Sequence, residues 1–404
     1  MGALAPNGNT VPKYWNSLVS GKSGIDYITY FDTTDFPVKI AGEISNFNPE
    51  DHFERKEVRK LDPFSIYALV ACNEAVQMAG LDSYSFDHNR AGVMIGCGIG
   101  GINTLLHEHD VLNNSGARRI SPFFVTKLIV NIAGGQIAIK WNLKGPNQTV
   151  VSACASATDA IGMALRAIQS GMADIMIAGG TEASICDLPL AGFSKIRALC
   201  NDADPPQSAS RPFDKDRSGF VMGEGSGMLV LETEEHALSR GATILGELAG
   251  YGATNDAYHV TQPAEGGAGA VSAMRLAIED AKAKPEDVHY INAHGTSTPF
   301  NDKNETYAIK SVFGSHAHKL KISSSKSMTG HLLGASGGIE AIAGLKVLEE
   351  QVVPPTINYN SPDPECDLDY VPNTAQKETV DFVLSNTFGF GGHNAVIALR
   401  KWSS

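Results

Sequence analysis

The chain has 404 residues, of which 43% are hydrophobic and 19% charged, and its formal net charge is −12. This composition is that of a globular protein long enough for two domains, and its acidity argues against nucleic acid as the main partner. The sequence has no uncharged apolar run of about 18 residues, as a membrane helix needs. Polar residues interrupt the apolar stretches near the N-terminus, so we expect no secretory or transit peptide there.

The N-terminal segment is predicted to begin with a loop, because residues 2–8 (GALAPNG) combine small residues with Pro and Gly. Helices are expected over 13–20 and, after the charged stretch 53–60, over 63–79. Residues 91–101 (AGVMIGCGIGG) predict a buried strand and a glycine-rich turn, but the glycines lack the GxGxxG spacing of a dinucleotide site. The chain is therefore expected to be an α/β protein without an opening strand.

One histidine-rich stretch has the composition of a metal site. His107, Glu108, His109 and Asp110 are adjacent, yet residues i and i+2 diverge on a helix. The same argument applies to the short SHAHK segment at 315–319. We expect solvated surface at both places, and no metal ion.

A lone cysteine stands at a predicted strand-to-helix turn. Residues 149–151 (TVV) are β-branched, as expected for a buried strand, and 157–168 have an apolar helix pattern, followed by a second strand at 173–178. Cys154 lies between the first strand and the helix, among small side chains. The unpaired N–H groups and partial positive charge of a helix N-terminus favour a thiolate, which makes Cys154 a candidate nucleophile rather than a structural cysteine.

The second half of the chain repeats the pattern of the first. A strand end at 322–326 leads through a polar loop to a small-residue helix at 334–350, as the segment around Cys154 does. The charged helix pattern at 234–240 precedes the midpoint. We therefore predict two similar halves produced by duplication, with the boundary placed between 1–241 and 242–404.

Two histidines and a lysine occur near strand ends of the second half. His294 directly follows a predicted strand, and His331 follows Lys326 and precedes the small-residue helix. Either histidine alone could be structural, but with Cys154 they indicate a shared site, because imidazole titrates near neutral pH. This set suits carbon–carbon bond formation on thioesters, in which the thiolate holds an acyl group and imidazole N–H groups stabilise an enolate oxygen.

Four ordered motifs carry a family resemblance. They are VSACASA around Cys154, AHGTSTP around His294, KSMTGHLLGASGG with Lys326 and His331, and NTFGFGGHN near the C-terminus. Over nearly its whole length the chain resembles the β-ketoacyl-[acyl-carrier-protein] synthases of the thiolase superfamily, above all the elongating enzymes often called KAS II. The resemblance implies a thiolase-like α/β fold with five layers, α-β-α-β-α, a homodimer, and acyl carrier protein as partner.

The resemblance also implies the reaction. Cys154 would take the growing acyl chain from acyl carrier protein, while His294 and His331 would assist decarboxylation of malonyl carrier protein and stabilise the enolate. The nascent carbanion would attack the Cys154 thioester and release 3-oxoacyl carrier protein. The backbone N–H groups of Cys154 and Phe390 would form the oxyanion hole, and Phe390 would gate the pocket.

Further positions match the family's pocket, channel and docking rim. Lys326 and Glu340 would form a buried pair that organises His331, with either a structural or an electrostatic role. The pantetheine channel would be lined by Thr261, Thr296 and Thr298, and the acyl pocket by Ile99 and Phe193. The residues implied to dock the acidic carrier protein are Lys56, Arg59, Lys60, Arg118, Arg119 and Arg197.

No cofactor is expected beyond the phosphopantetheine arm that arrives with the substrate. Some relatives hold a cation at positions that match Asn292, Glu340, Ser385 and Asn386, but we predict no metal here. The six cysteines show no CxxC pair, so we expect a reducing compartment. The expected location is the bacterial cytoplasm, or a plastid or mitochondrial matrix after removal of a transit peptide.

The main alternative is a polyketide ketosynthase, which shares every catalytic motif but usually works with a partner subunit or inside a longer chain. A thiolase would need a second catalytic cysteine near the C-terminus, and acetyl-CoA-specific or chalcone-type ketosynthases use Cys-His-Asn. A non-catalytic chain-length factor would have lost its nucleophile.

Two departures from the family are the absent opening strand and His393, which replaces the threonine usual in GFGGTN and is given no role.

Overall fold

The computed structural model describes residues 1–201 and 203–403. The strands are β1 (Gly2–Leu4), β2 (Asp26–Tyr27), β3 (Ile40–Ala41), β4 (Ala91–Gly96), β5 (Asn147–Val150), β6 (Ile175–Glu182), β7 (Gly225–Glu232), β8 (Glu247–Asn255), β9 (Tyr290–Asn292), β10 (Lys321–Ser323), β11 (Val352–Val353), β12 (Gln376–Lys377), β13 (Phe382–Gly389) and β14 (His393–Arg400). The helices are α1 (Val11–Val19), α2 (Arg55–Val58), α3 (Pro63–Met78), α4 (Ile102–Ser115), α5 (Phe124–Leu128), α6 (Ile132–Trp141), α7 (Ser156–Gln169), α8 (Asp187–Lys195), α9 (Glu234–Ser239), α10 (Ala268–Asp280), α11 (Pro299–Phe313), α12 (Lys326–Thr329) and α13 (Ser336–Glu350).

Two five-stranded sheets share one topology. In the first, β6, β4 and β5 are parallel, β7 is antiparallel to β6, and β1 is antiparallel to β7. In the second, β13, β9 and β10 are parallel, β14 is antiparallel to β13, and β8 is antiparallel to β14. The orders β5-β4-β6-β7-β1 and β10-β9-β13-β14-β8 correspond strand by strand, which confirms the two similar halves.

Two helices lie between the sheets. The helices α7 and α13 contact each other and strands of both sheets, and small residues let them be covered on all sides. A Cβ atom at Gly337 of α13 would lie 2.0 Å from the Thr158 hydroxyl of α7, so glycine is needed where the helices touch. The outer faces are covered by α3 and α6 on the first sheet and by α10 and α11 on the second. This is the predicted five-layer thiolase-like arrangement.

The prediction that no strand opens the chain was wrong. Residues Gly2–Leu4 form β1, which pairs with β7 at the edge of the first sheet. A Cβ atom at Gly2 would lie 1.8 Å from the carbonyl oxygen of Ala71 in α3. The strand therefore needs small residues to pack on this helix, and small residues are what made the segment resemble a loop.

Three other local predictions were also wrong. Val151, expected in a buried strand, has 54% of its surface exposed, because it directly follows β5 at the open edge of the sheet. The strand at 173–178 does not stop at its glycines but continues as β6 to Glu182. The segment 327–331, predicted as a polar loop, is buried, and its first three residues belong to the helical turn α12 (Lys326–Thr329). None of the helices in residues 1–201 and 203–403 has the length and apolar character needed to cross a membrane.

Candidate active site

A cavity of about 420 Å³ opens where the carboxyl ends of the parallel strands meet. Each of the six parallel strands contains or precedes at least one residue that lines the cavity: Ile99 after β4, Cys154 after β5, Glu182 in β6, His294 after β9, His331 after β10 and α12, and Phe390 after β13. The carboxyl ends of parallel strands are the usual ligand-binding edge of an α/β sheet. Both halves therefore contribute to one site.

The predicted nucleophile and both histidines lie together in this cavity. The Sγ atom of Cys154 is 3.0 Å from Nε2 of His331. The sulfur and the nearest ring nitrogens of His294 and His331 all lie within 4.8 Å of one another, and the two imidazole rings meet edge to face with centroids 5.3 Å apart. One substrate carbonyl could contact all three groups.

The hydrogen bonds of His331 define its tautomer. Its Nδ1 accepts the backbone N–H of Leu333 at 3.3 Å and lies 2.9 Å from the Ser336 hydroxyl. A nitrogen that accepts a backbone N–H carries no proton, so the proton of the neutral ring resides on Nε2. This N–H points at the Cys154 sulfur, which makes His331 a hydrogen-bond donor in the cavity rather than a base.

His294 is held by its backbone and leaves its ring free. Its N–H donates to Glu305 at 2.9 Å, and the adjacent Gly295 N–H donates to the same carboxylate at 2.8 Å. Only 2% of His294 is exposed, and its Nδ1 has no hydrogen-bond partner within the part of the chain that the structure describes. The ring is therefore oriented by packing and is available to a substrate.

Both imidazoles are neutral at neutral pH. Burial lowers the pKa of His294 and of His331 well below the ordinary value, and the Lys326 ammonium lowers both further. Charging either ring would require desolvation next to an existing positive charge. The site thus presents two uncharged rings.

The expectation of a resting thiolate at Cys154 was wrong. Burial raises the pKa of the Cys154 thiol to about 11, although the Lys326 charge and the Phe390 and Cys154 N–H groups oppose the shift. Cys154 lies in a short 3₁₀ turn (Ala153–Ala155) that precedes α7. The desolvation cost of an anion here exceeds the stabilisation that the helix end provides.

Lys326 and Glu340 form a buried ion pair, as predicted. Each has about 1% of its surface exposed, and the ammonium contacts Oε1 of the carboxylate. Burial raises the pKa of Glu340, and Lys326 opposes that shift. Neither side chain lines the cavity, so the pair acts on the histidines through its charge rather than by touching a substrate.

Four buried oxygens belong to the residues for which the family resemblance raises the question of a cation. Asn292 and Ser385 are paired across β9 and β13, and Asn386 is the next residue. In residues 1–201 and 203–403 no hydrogen-bond partner is found for the following side-chain atoms: Asn292 Oδ1, Glu340 Oε2, Ser385 Oγ and Asn386 Oδ1. Carboxylate, amide and hydroxyl oxygens are the donors that hard cations prefer. The residues fit such an ion, and the absence of a metal stays a prediction.

The walls of the cavity are aromatic and aliphatic. Phe193 lies 5.5 Å from Phe220 and 6.4 Å from Phe390, measured between ring centroids, and Phe220 packs edge to face on His331. Ile99 completes this apolar side. The predicted channel residues Thr261, Thr296 and Thr298 also line the cavity, and the hydroxyl oxygens of the last two are 2.9 Å apart.

All six predicted docking cations are exposed, namely Lys56, Arg59, Lys60, Arg118, Arg119 and Arg197. Arg197 lines the cavity mouth. The Lys60 ammonium lies 5.6 Å from the centroid of Phe123, which connects the first cluster to the segment that carries Arg118 and Arg119. Lys56 is ion-paired with Glu54 at 2.7 Å, which partly neutralises its charge.

Several residues of the site have no sequence signal. Phe220 lies before β7 in a segment for which no site residue was predicted, and Ser336 and Leu333 contact His331 through the turn after this histidine. Glu182 was hidden inside a strand assumed to end earlier. In contrast, the expectation of solvated surface was wrong for Glu108, which is 6% exposed and accepts the Ser121 N–H at 2.9 Å.

Comparisons with known proteins point to one family. The family model described as the N-terminal domain of β-ketoacyl synthase matches residues 1–237, and the C-terminal domain model matches 245–360. Curated relatives include the 3-oxoacyl-[acyl-carrier-protein] synthase 2 of Staphylococcus aureus, 52% identical over 100% of this chain and 97% of that protein, and the one of Synechocystis sp., 50% identical with the same coverage.

Solved structures agree with these sequence matches. A structure described as a type II polyketide synthase acyl carrier protein in complex with its ketosynthase is 36% identical, with a TM-score of 0.92 and coverage of 100% of this chain and 98% of that chain. A β-ketoacyl synthase from Burkholderia phymatum is 32% identical, with the same TM-score and coverage.

Proposed function

The chain belongs to the β-ketoacyl synthase family, and we infer from its site that it performs decarboxylative Claisen condensation in type II fatty acid elongation. The observation that carries this inference is the juxtaposition of a thiol and two neutral imidazoles in one apolar cavity. An acyl-enzyme thioester and a malonyl thioester need such groups, because one carbon nucleophile forms beside one electrophilic carbonyl.

The first step is transfer of the acyl group to Cys154. The sulfur attacks the thioester of the acyl carrier protein, the bond to the pantetheine sulfur breaks, and the thiol proton leaves with the pantetheine thiol. The N–H groups of Cys154 and Phe390 stabilise the oxyanion of the tetrahedral intermediate. Gly389 permits this arrangement, because a Cβ atom there would lie 3.1 Å from the Cys154 nitrogen.

The second step produces the carbon nucleophile. Malonyl carrier protein loses CO₂, and the electron pair of the broken bond moves into an enolate whose oxygen accepts hydrogen bonds from His294 and His331. Neutral rings suit this task, since they stabilise the enolate without protonating its carbon. The carbon then attacks the Cys154 thioester, and the departing thiolate takes a proton from water to restore the enzyme.

A polyketide ketosynthase remains the second candidate, because such a protein has the same fold at 36% identity. The curated relatives named 3-oxoacyl-[acyl-carrier-protein] synthase 2 are more similar, at 52% identity. The apolar walls formed by Ile99, Phe193 and Phe220 also suit a saturated hydrocarbon better than a chain with many carbonyl groups, which would leave polar atoms without partners. We therefore favour fatty acid elongation.

A homodimer is the assembly that the surface supports. The strand β5 lies at one edge of the first sheet, opposite β1, and has a neighbour on one side only among the residues that the structure describes. Such an edge strand is a template for pairing with a second chain. Val151 beside β5 is 54% exposed, and Val125 and Ile139, on helices that precede it in the chain, are 59% and 75% exposed.

The six cysteines form no disulfide, which suits a reducing compartment such as the bacterial cytoplasm.

Mass spectrometry with carrier-linked acyl donors of graded length tests the function. The wild-type protein should gain the mass of one acyl group, and the Cys154→Ala variant should gain none. When malonyl carrier protein is added, the acylated wild-type protein should release a 3-oxoacyl product. Donors with polyketide-like carbonyl groups should react more slowly than saturated donors. No acylation from any carrier-linked donor would refute the enzymatic function, and faster reaction with polyketide-like donors would favour the second candidate.

A further inference from the structure

Glu182 is a buried carboxylate in the wall of the active-site cavity. It is the last residue of β6 and has 0% of its surface exposed. Its Oε2 accepts the N–H groups of Gly98 at 2.8 Å and Gly334 at 3.1 Å, and its Oε1 accepts the N–H of Ile99 at 3.1 Å. One side chain thus holds three backbone amides.

These amides belong to different halves of the protein and to different parts of the site. Gly98 and Ile99 follow β4 and form a wall of the cavity. Gly334 lies in the turn after His331, next to Leu333, whose own N–H donates to Nδ1 of His331. A Cβ atom at Gly334 would lie only 2.4 Å from the Gly98 nitrogen, so the two loops meet at the Glu182 carboxylate.

The carboxylate has no cationic partner. Among residues 1–201 and 203–403 no salt bridge includes Glu182, and burial raises its pKa to about 6 although the backbone N–H groups of Gly98, Ile99 and Gly334 lower it. A buried anion stabilised by neutral donors alone, here the three amides and the Cys97 thiol 3.7 Å from Oε1, is costly. An amide side chain could not replace it, because an NH₂ group would face at least one backbone donor.

We propose that Glu182 is a positioning residue that sets acyl-chain selectivity by fixing Ile99 and the Leu333–Gly334 turn that orients His331. The proposal rests on the proposed function, because it assumes that the cavity holds an acyl chain. A long chain contacts the wall along its length, whereas a short chain depends mainly on Cys154 and the oxyanion hole. Loosening the two loops should therefore impair long donors more than short ones.

The test compares Glu182→Gln with Asp62→Asn. Asp62 is also 0% exposed and accepts backbone N–H groups, from Phe64 at 3.3 Å and Thr104 at 3.1 Å, but it does not line the cavity. The rate of Cys154 acylation is measured by intact mass with butyryl and palmitoyl carrier protein, and the unfolding temperature of each variant is recorded. Wild-type acylation is established first, so failure of the proposed function is seen separately.

In Glu182→Gln, kcat/KM should fall about tenfold or more with the palmitoyl donor and about threefold or less with the butyryl donor. In Asp62→Asn the ratio of the two rates should equal that of the wild type. An unchanged ratio in Glu182→Gln, whatever its unfolding temperature, would overturn the proposal and leave a purely structural carboxylate.

Gly98→Ala provides a second test if Glu182→Gln does not fold. A Cβ atom at Gly98 would lie 2.7 Å from Oε2 of Glu182, so the substitution displaces the carboxylate from the loop while keeping its charge. The same loss of selectivity for the palmitoyl donor is expected. Equal losses for both donors in Gly98→Ala would contradict the proposal.

Discussion

The protonation state of Cys154 gives the sharpest test of the site's electrostatics. Burial raises its pKa to about 11, so about one molecule in a thousand carries the thiolate at pH 8 and about one in a hundred at pH 9. Alkylation requires the thiolate. The alkylation rate should therefore rise about tenfold for each pH unit between 7 and 10.

The assay is intact-mass detection of one carbamidomethyl group after timed exposure to iodoacetamide. Cys154→Ala serves as the control for the other cysteines, of which Cys72, Cys97, Cys200 and Cys366 are buried and Cys186 is partly exposed. A rate that reaches its plateau at or below pH 8 would refute the reasoning, because it would mean that the helix end and the Lys326 charge together outweigh desolvation.

Three further predictions concern the surroundings of the nucleophile. Lys326→Met should lower the free energy of unfolding by about 3–5 kcal/mol, because it leaves Glu340 buried without its partner. The double variant Lys326→Met with Glu340→Gln should lower it clearly less. Equal losses of both variants in denaturant unfolding would contradict this prediction. Gly391→Ala should lower the free energy of unfolding by roughly 1–2 kcal/mol, since Gly391 has a φ of +82°. It should also lower kcat by disturbing the Phe390 loop. An unchanged kcat would show that the loop tolerates the strain. Arg118→Glu with Arg119→Glu should raise KM for carrier-linked donors by about tenfold at low salt while the rate with a short acyl-cysteamine thioester stays constant; a parallel loss with both donors would place these arginines outside docking.

The residues of the active site could be predicted from the sequence more fully than the pKa values in it. The motif around Cys154 and the two histidine motifs are local, and each follows a strand, so their convergence at the sheet edge could be expected. The position of β1 could not, because small residues that pack a strand tightly against α3 have the composition of a loop. The raised pKa of Cys154 could not be expected either, since it results from burial of the sulfur, and burial depends on which segments the fold brings around the cavity.

Glu182 and Val151 illustrate a second limit. A continuous apolar run predicts a strand but not its place in the sheet, so Val151 was expected in the interior although β5 lies at an edge. Glu182 accepts amides from residues 84 and 152 positions away in sequence, and no local pattern encodes such a contact. The exposure of Val151 and the contacts of Glu182 both depend on segments that are distant in sequence.

The duplicated topology explains how one cavity acquires so many separate functions. Equivalent strands deliver different residues to the same edge: β5 leads to Cys154 and β10 to the segment with His331, while β4 leads to Ile99 and β9 to His294. Similarly, β6 supplies Glu182 where β13 leads to Phe390. The backbone symmetry provides six strand ends around one chamber, and the side chains break that symmetry.

In the proposed mechanism the first half would hold the acyl group on Cys154, and the second half would supply the imidazoles of His294 and His331 that stabilise the enolate. The proposed condensation therefore needs residues of both halves, and the hydrogen bond between Cys154 and His331 and the Gly334 amide bound by Glu182 link them. The helices α7 and α13, packed together between the sheets, keep these distances fixed. The contacts that pack the two halves together thus also set the geometry of the cavity. Small residues such as Gly337 lie at the centre of the molecule because they let the two helices approach closely.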